Sequence, residues 1–462
     1  MTAAPETPAA PGLAVERTGA SAWIFLGAAV LALAGSLFAL EAVISVAAIL
    51  LAIFIFIEFR KVPWAQQAAA LVLVTVTAVL AGGRDEILEA AVNGLTRTLP
   101  FVLIFASVGW LQSAARESPS VRALREGLMR LGPGQRFSAL SLTSHFLGAG
   151  FNLAGLALLS PMLDDQRESG DRMRMACAII WGFAAATCWS PIYVGTAVVL
   201  SGLPQTSWIE VAPLGFFIAL GFLGYGFVYD RLVRRRGRPR VPGSRSSTLP
   251  LRPVLRVLLA IAVLFVLTTT LIEGVGLRLT DAVMIAAPSY ALAWLFLVHG
   301  RRGSGHIAAV ARGVIAGYPR MRSETTLFFC ANMFGFVITG IASGDQAAGF
   351  SLPPLPGPFF LHALLAIWLY LVVCAIGIHP IVSVVVFTTV VSPEQLGIAP
   401  ALLAAMLMAL WGMGTSVSPL SGTTLIMAQL SGRSSFTIAW RWDGTFYALG
   451  AVGLAALVSL LR

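Results

Sequence analysis

Two apolar segments half a chain apart are broken in the same way, and this pairing limits the fold more than any other feature. Residues 181–202 read WGFAAATCWSPIYVGTAVVLSG and residues 411–432 read WGMGTSVSPLSGTTLIMAQLSG, so WG, SP, GT and SG recur in one order. Proline removes a backbone donor and clashes with the preceding turn, and glycine weakens a helix, so the pair predicts membrane helices unwound at mid-depth. Matching interruptions in two halves are the best sequence pointer to a transporter's binding site. The order extends upstream, where Ser160-Pro161 closes LALLSP and Ser392-Pro393 closes FTTVVSP, with His145 and His379 inside the preceding apolar runs. Small residues used only for tight helix packing would not share an order in both halves.

Hydrophobic residues make up 57% of the 462 positions and charged residues only 11%, with a mean hydropathy of +0.84, which excludes an ordinary soluble globule. The fold class expected is all-α and polytopic, in a bacterial-type cytoplasmic membrane. The net charge of +10 resides in arginines of short loops between apolar runs, so it reads as a topology determinant and implies no nucleic-acid partner. Cys177, Cys188, Cys330 and Cys374 lie in apolar segments without metal-like spacing. No metal site follows from them. The first twenty residues have no basic n-region, so no cleavable signal peptide is expected. An embedded enzyme is disfavoured, because the chain has no HExxH, no GxSxG and no paired intramembrane carboxylates.

At about 20 residues per crossing, eleven spans are predicted: 22–40, 42–59, 66–82, 99–115, the broken 176–202, 211–229, 257–272, 282–298, 325–342, the broken 401–430 and 445–461. Arg60-Lys61 after the second span and Arg116, Arg122, Arg125, Arg130 and Arg136 after the fourth put those loops in the cytoplasm, and with them the tail 1–21. Val121, Leu124, Leu128 and Leu131 recur at helical spacing among charges, which suits either an arm helix on the inner membrane surface or a solvated loop helix. Residues 138–163, broken around Phe151-Asn152 and flanked by arginines on both sides, read as a re-entrant hairpin from the cytoplasm. Residues 359–391, broken at Gly377, His379 and Pro380 between loops free of Lys and Arg, read as a second hairpin from outside. The first half is then 22–229, the Arg-rich stretch 230–256 a flexible cytoplasmic linker, and 257–462 an inverted second half with its carboxyl terminus external.

This order of spans, hairpins and broken helices, covering residues 42–461, resembles the ion transporter superfamily, which includes divalent anion–sodium symporters, the large membrane subunits of tripartite periplasmic transporters and citrate carriers. The resemblance implies a homodimer whose transport domain moves as an elevator against a scaffold. The hairpin tips here read GAGFNLAG and GIHPIVS in place of the Ser-Asn-Thr motif of the sodium symporters, so only Asn152 matches.

The expected site gathers Asn152, Thr187, Ser190, Gly195 and Thr196 from the first half with His379, Thr415, Ser416, Ser418, Ser421, Gly422, Thr423 and Thr424 from the second. Hydroxyls and freed carbonyls suit a sodium ion, and half-helix N-termini suit a carboxylate. About a third of these hydroxyls are expected to touch ligand, the rest patching freed backbone groups. With no Lys or Arg expected in the core, the anion is left to dipoles, Asn152 and histidine. His379 either contacts substrate or a coupling proton, or serves the freed backbone as a neutral imidazole. His145 and Asn332 are secondary candidates, Asn332 as interhelical glue. The function expected is secondary transport of a small organic anion driven by a sodium or proton gradient, with no other cofactor. The alternative is the membrane subunit of a system fed by a separate substrate-binding protein.

Overall fold

A computed structural model describes residues 18–164, 169–234, 249–300, 303–343, 357–391 and 393–462. The body of the expected linker, Ser392, most of the expected external loop before 359 and most of the amino-terminal tail lie outside the described residues. All regular structure among the described residues is helical, and ten helical segments are long and apolar enough to cross a membrane. The protein is an all-α, multi-pass membrane protein. The first broken segment is not among the ten: its opening helix, Ser169–Ala186, carries Asp171, Arg172 and Arg174 in its first turns, and its second helix has 9 residues.

Three helices open the chain, α1 (Ala20–Leu37), α2 (Glu41–Glu58) and α3 (Trp64–Ala81). Gly82 ends α3 in the left-handed conformation, φ +76°, that glycine adopts without Cβ strain. The next helix, α4 (Arg84–Glu117), is twice the length predicted from 99–115. Its first four turns carry Arg84, Asp85, Glu86, Glu89 and Arg97, which hide a helix from a hydropathy reading. Pro119 at the first turn and Ser118, whose hydroxyl accepts from the Val121 amide, start α5 (Pro119–Arg130). Its apolar face is buried on the protein through Val121, Leu124 and Leu128.

The chain then enters α6 (Pro133–Phe151), turns at Asn152 and doubles back in α7 (Leu153–Leu158) and α8 (Pro161–Asp164). The two arms touch so closely that a Cβ on Gly155 would lie 2.7 Å from the Gly148 amide nitrogen. The first broken helix is α9 (Ser169–Ala186) and α10 (Val194–Gly202), and a Ser207–Glu210 capping box starts α11 (Trp208–Tyr229).

In the second half come α12 (Leu251–Thr269), α13 (Leu279–His299), α14 (Ser304–Gly317) and α15 (Arg322–Ser343). Helix α14 was not expected, since its stretch of arginine and small residues read as loop. A helix pair follows, α16 (Phe359–Ala375) and α17 (Pro380–Val390), joined through Gly377 at φ +103°. After α18 (Pro393–Leu396) comes the second broken helix, α19 (Pro400–Val417) and α20 (Gly422–Ser431), and then α21 (Gly444–Leu461).

Burial sorts these helices into centre and rim. Of the most apolar stretch of α19–α20, 89% is buried, against 11% for α3, so the second broken helix is the axis of the bundle and α3 its edge. Two contacts tie the first broken helix to the carboxyl end. The Trp181 indole stacks on Phe446 with centroids 3.6 Å apart and donates from Nε1 to Asp443 Oδ1 at 2.8 Å. Nearby, Arg174 on α9 and Asp230 after α11 form a buried two-pronged ion pair at 2.6 and 2.8 Å.

Candidate functional site

Both breaks, both tips and one face of α4, α14 and α15 meet at a single cavity of ≈ 260 Å³. Asn152 and Leu153 reach it from the first tip, Thr187, Tyr193 and Val194 from the first break, His379 from the second tip, and Trp411, Thr415, Gly422 and Thr423 from the second break. The opposite wall is α4, from Phe105 to Arg116, with α14 and the start of α15 from Gly313 to Phe328.

Each tip and break begins a short helix. Helices α7, α10, α17 and α20 start at Leu153, Val194, Pro380 and Gly422, so their first residue or N-cap lines the cavity in every case. A helix N-terminus carries unpaired amides and roughly half a positive charge. Four such ends bordering one space make it suited to an anion. Some amides are already capped: Asn152 Oδ1 accepts from the Leu153 amide at 2.7 Å, and His379 Nδ1 accepts from the Ile381 amide at 3.2 Å. A neutral His379 that accepts at Nδ1 carries its proton on Nε2, as a donor.

The hydroxyls divide between backbone and cavity. Ser190 Oγ donates to Ala149 O at 2.6 Å, which ties the first break to α6, and Thr196 Oγ1 donates to Ser190 O at 2.7 Å, which closes the break on itself. Ser416 Oγ donates to Gly412 O at 2.9 Å, Ser421 Oγ donates to Thr415 O, and Thr424 Oγ1 donates to Ser418 O at 2.6 Å. These groups repair the backbone that Pro and Gly free. Thr187 and Thr415 also donate to carbonyls, to Ala184 O at 2.8 Å and Gly412 O at 3.0 Å, yet both line the cavity. Thr423 lines it too, with no side-chain hydrogen bond among the described residues. Gly195 does not reach the cavity. It gives Trp411 room, since a Cβ there would lie 2.6 Å from the indole ring.

Of the expected site residues, the structure thus brings Asn152, Thr187, His379, Thr415, Gly422 and Thr423 to one cavity, and leaves Ser190, Gly195, Thr196, Ser416, Ser418, Ser421 and Thr424 behind it as supports. His145 lies apart, its Nε2 accepting from Trp189 Nε1 at 3.2 Å. Asn332 donates to Thr98 Oγ1 at 3.2 Å and Phe328 O at 3.0 Å, which joins α15 to α4.

The expectation of a site without Lys or Arg is corrected by the wall of α4, α14 and α15, where Arg116 and Arg320 line the cavity. In the sequence both read only as loop charges. Two further groups went unforeseen. Glu324 lines the cavity with a buried Oε2 that has no hydrogen-bond partner, and Tyr193 lines it with a buried hydroxyl that likewise has none. Glu324 stands one residue before the predicted span 325–342, so its depth was not legible. Tyr193 lies inside the predicted break, two residues after Ser-Pro, and a tyrosine there was the available signal.

No protein-family model and no curated protein sequence matches the chain. Among solved structures it is similar to the YdaH transporter of Alcanivorax borkumensis. The two are 14% identical, with a TM-score of 0.51 over 86% of this chain and 98% of that one. The fold is thus that of a known transporter structure, across nearly its full length.

Proposed function

We propose that the protein is a secondary active transporter of a small organic anion, carboxylate-like, coupled to a sodium or proton gradient. The observation that carries this reading is the convergence of four short-helix N-termini on one cavity whose far wall holds Arg116 and Arg320. Dipole ends and guanidinium groups attract a carboxylate, and the guanidinium forks can bind it two-pronged. Glu324, with its unpartnered oxygen in the same space, supports the proton as coupling ion, because a carboxyl beside the substrate's path can load and release one.

The chain then falls beside the ion transporter superfamily, and its halves 22–229 and 257–462 act as inverted repeats. The tips and broken helices form a transport domain, α4, α14 and α15 belong to a scaffold, and the cavity lies on the boundary between them. That placement suits an elevator movement in a homodimer, with the amino terminus cytoplasmic and the carboxyl terminus external.

Uptake into proteoliposomes tests the reading, with mono-, di- and tricarboxylates offered under separately imposed sodium and proton gradients. Thr423→Val, which removes a cavity hydroxyl that does no backbone repair, is expected to raise KM, and Glu324→Gln to abolish proton-driven accumulation while leaving exchange. If the folded protein accumulates no carboxylate under either gradient, autonomous carboxylate transport is wrong and the receptor-fed subunit becomes the better account.

A further inference from the structure

A second cluster lies outside the cavity and does not depend on the transport reading. Glu117 ends α4, His299 ends α13 and His306 is the third residue of α14. Their ligand atoms all lie within 4.8 Å of one another. His306 Nε2 is 2.9 Å from both Glu117 oxygens, and His299 Nε2 contacts Oε2 of the same carboxylate. Both rings therefore turn the same nitrogen towards one carboxylate. Beside the histidines, Gly300 has a positive φ of +66°, and a Cβ on Gly303 would lie 2.5 Å from His299 Cβ.

We propose that Glu117, His299 and His306 form a binding site for a zinc-type divalent ion. Two imidazoles and one carboxylate are a known zinc ligand set, with a fourth position for water or another ligand. Partial exposure, 31% and 44% for the two histidines and 25% for the glutamate, leaves that fourth position open. Tetrahedral bonds of about 2.0–2.2 Å place ligand atoms a little over 3 Å apart, so side-chain rotations alone convert the hydrogen-bonded cluster into a coordinated one. The C-terminal ends of α4 and α13 converge here, and their carbonyl dipoles favour a cation. An alternative chemistry, the carboxylate simply paired with protonated histidine, needs no ion.

Occupancy would tie α14 to α4 and α13. Gly313 and Gly317, two to three turns along α14 from His306, belong to the cavity wall. The ion is thus a clamp on the α4–α14 wall of the cavity, next to Arg116 on α4 and seven to eleven residues from Gly313 and Gly317 along α14.

The test is titration of the tag-free, full-length protein in detergent with Zn2+ by calorimetry, and with Co2+ by visible absorption. One ion per chain at micromolar affinity or tighter, with the intense d–d bands of tetrahedral Co2+, is expected. Glu117→Gln, His299→Gln and His306→Gln should each weaken binding by about tenfold or more, with unchanged gel-filtration profiles. No saturable binding, which leaves only the histidine–glutamate pairing, overturns the proposal, as does affinity unaltered in any one of the three variants.

Discussion

Asn152 offers a test in which backbone and side chain separate. It sits at φ +54°, ψ −139°, geometry that belongs to the first central residue of a type II′ turn and favours glycine. Its side chain caps α7 through the 2.7 Å bond to the Leu153 amide. Replacement by Ala loses the cap, about 1 kcal/mol, and keeps at positive φ the Cβ that Asn already holds there, which relative to Gly costs about 1–2 kcal/mol. Replacement by Gly costs a few tenths for the cap and relieves the backbone, partly offset by the greater freedom of the unfolded chain. Asn152→Ala should therefore be less stable than Asn152→Gly by about 2 kcal/mol, or about 2 °C in melting midpoint for a chain of 462 residues. Thermal unfolding of both variants in one detergent measures this. Midpoints within about a degree of each other would refute the backbone argument. Uptake by Asn152→Gly then isolates the amide, because that variant keeps the turn: parent-like KM would show that the side chain touches no substrate.

Gly195→Ala would put a methyl 2.6 Å from the Trp411 ring, about 0.8 Å inside the 3.4 Å where ordinary contact begins. The indole should shift towards the cavity at a cost of about 1–3 kcal/mol, and Trp411→Phe in the same chain should recover stability measured by melting. Asp230→Asn removes the buried carboxylate that Arg174 holds two-pronged and is expected to cost about 3–5 kcal/mol, visible as loss of folded protein by gel filtration. Adding Arg174→Leu should restore part of it, since the buried guanidinium is then gone as well.

The breaks were legible because proline and glycine act locally: Ser-Pro and Gly set the gaps before α10 and α20 within a few residues of their sequence marks. Asn152 and His379 were legible as tips for the same reason. The opposite wall was not, because Phe105 on α4 is far in sequence from Gly313 and Glu324 and only packing brings them together. Helix α14 escaped because His306, Arg312 and its glycines dilute the apolar run that a spanning helix shows. Which hydroxyls face the cavity was also beyond sequence, since Thr423 and Thr424 are neighbours in one helix turn yet one lines the space and the other bonds to Ser418 O. The Glu117, His299 and His306 cluster joins residues more than 180 positions apart.

The bond from Trp181 to Asp443 spans 262 positions, and this sets a condition on biosynthesis. At about 5–20 residues per second, the ribosome takes roughly 13–50 s to deliver Asp443 after Trp181. Throughout that interval the first half waits with its indole N–H unpartnered and the face that will meet Phe446 uncovered. A nascent chain halted before Asp443 therefore lacks both the acceptor of the Trp181 indole N–H and the ring that stacks on it, and differs in that way from a finished copy.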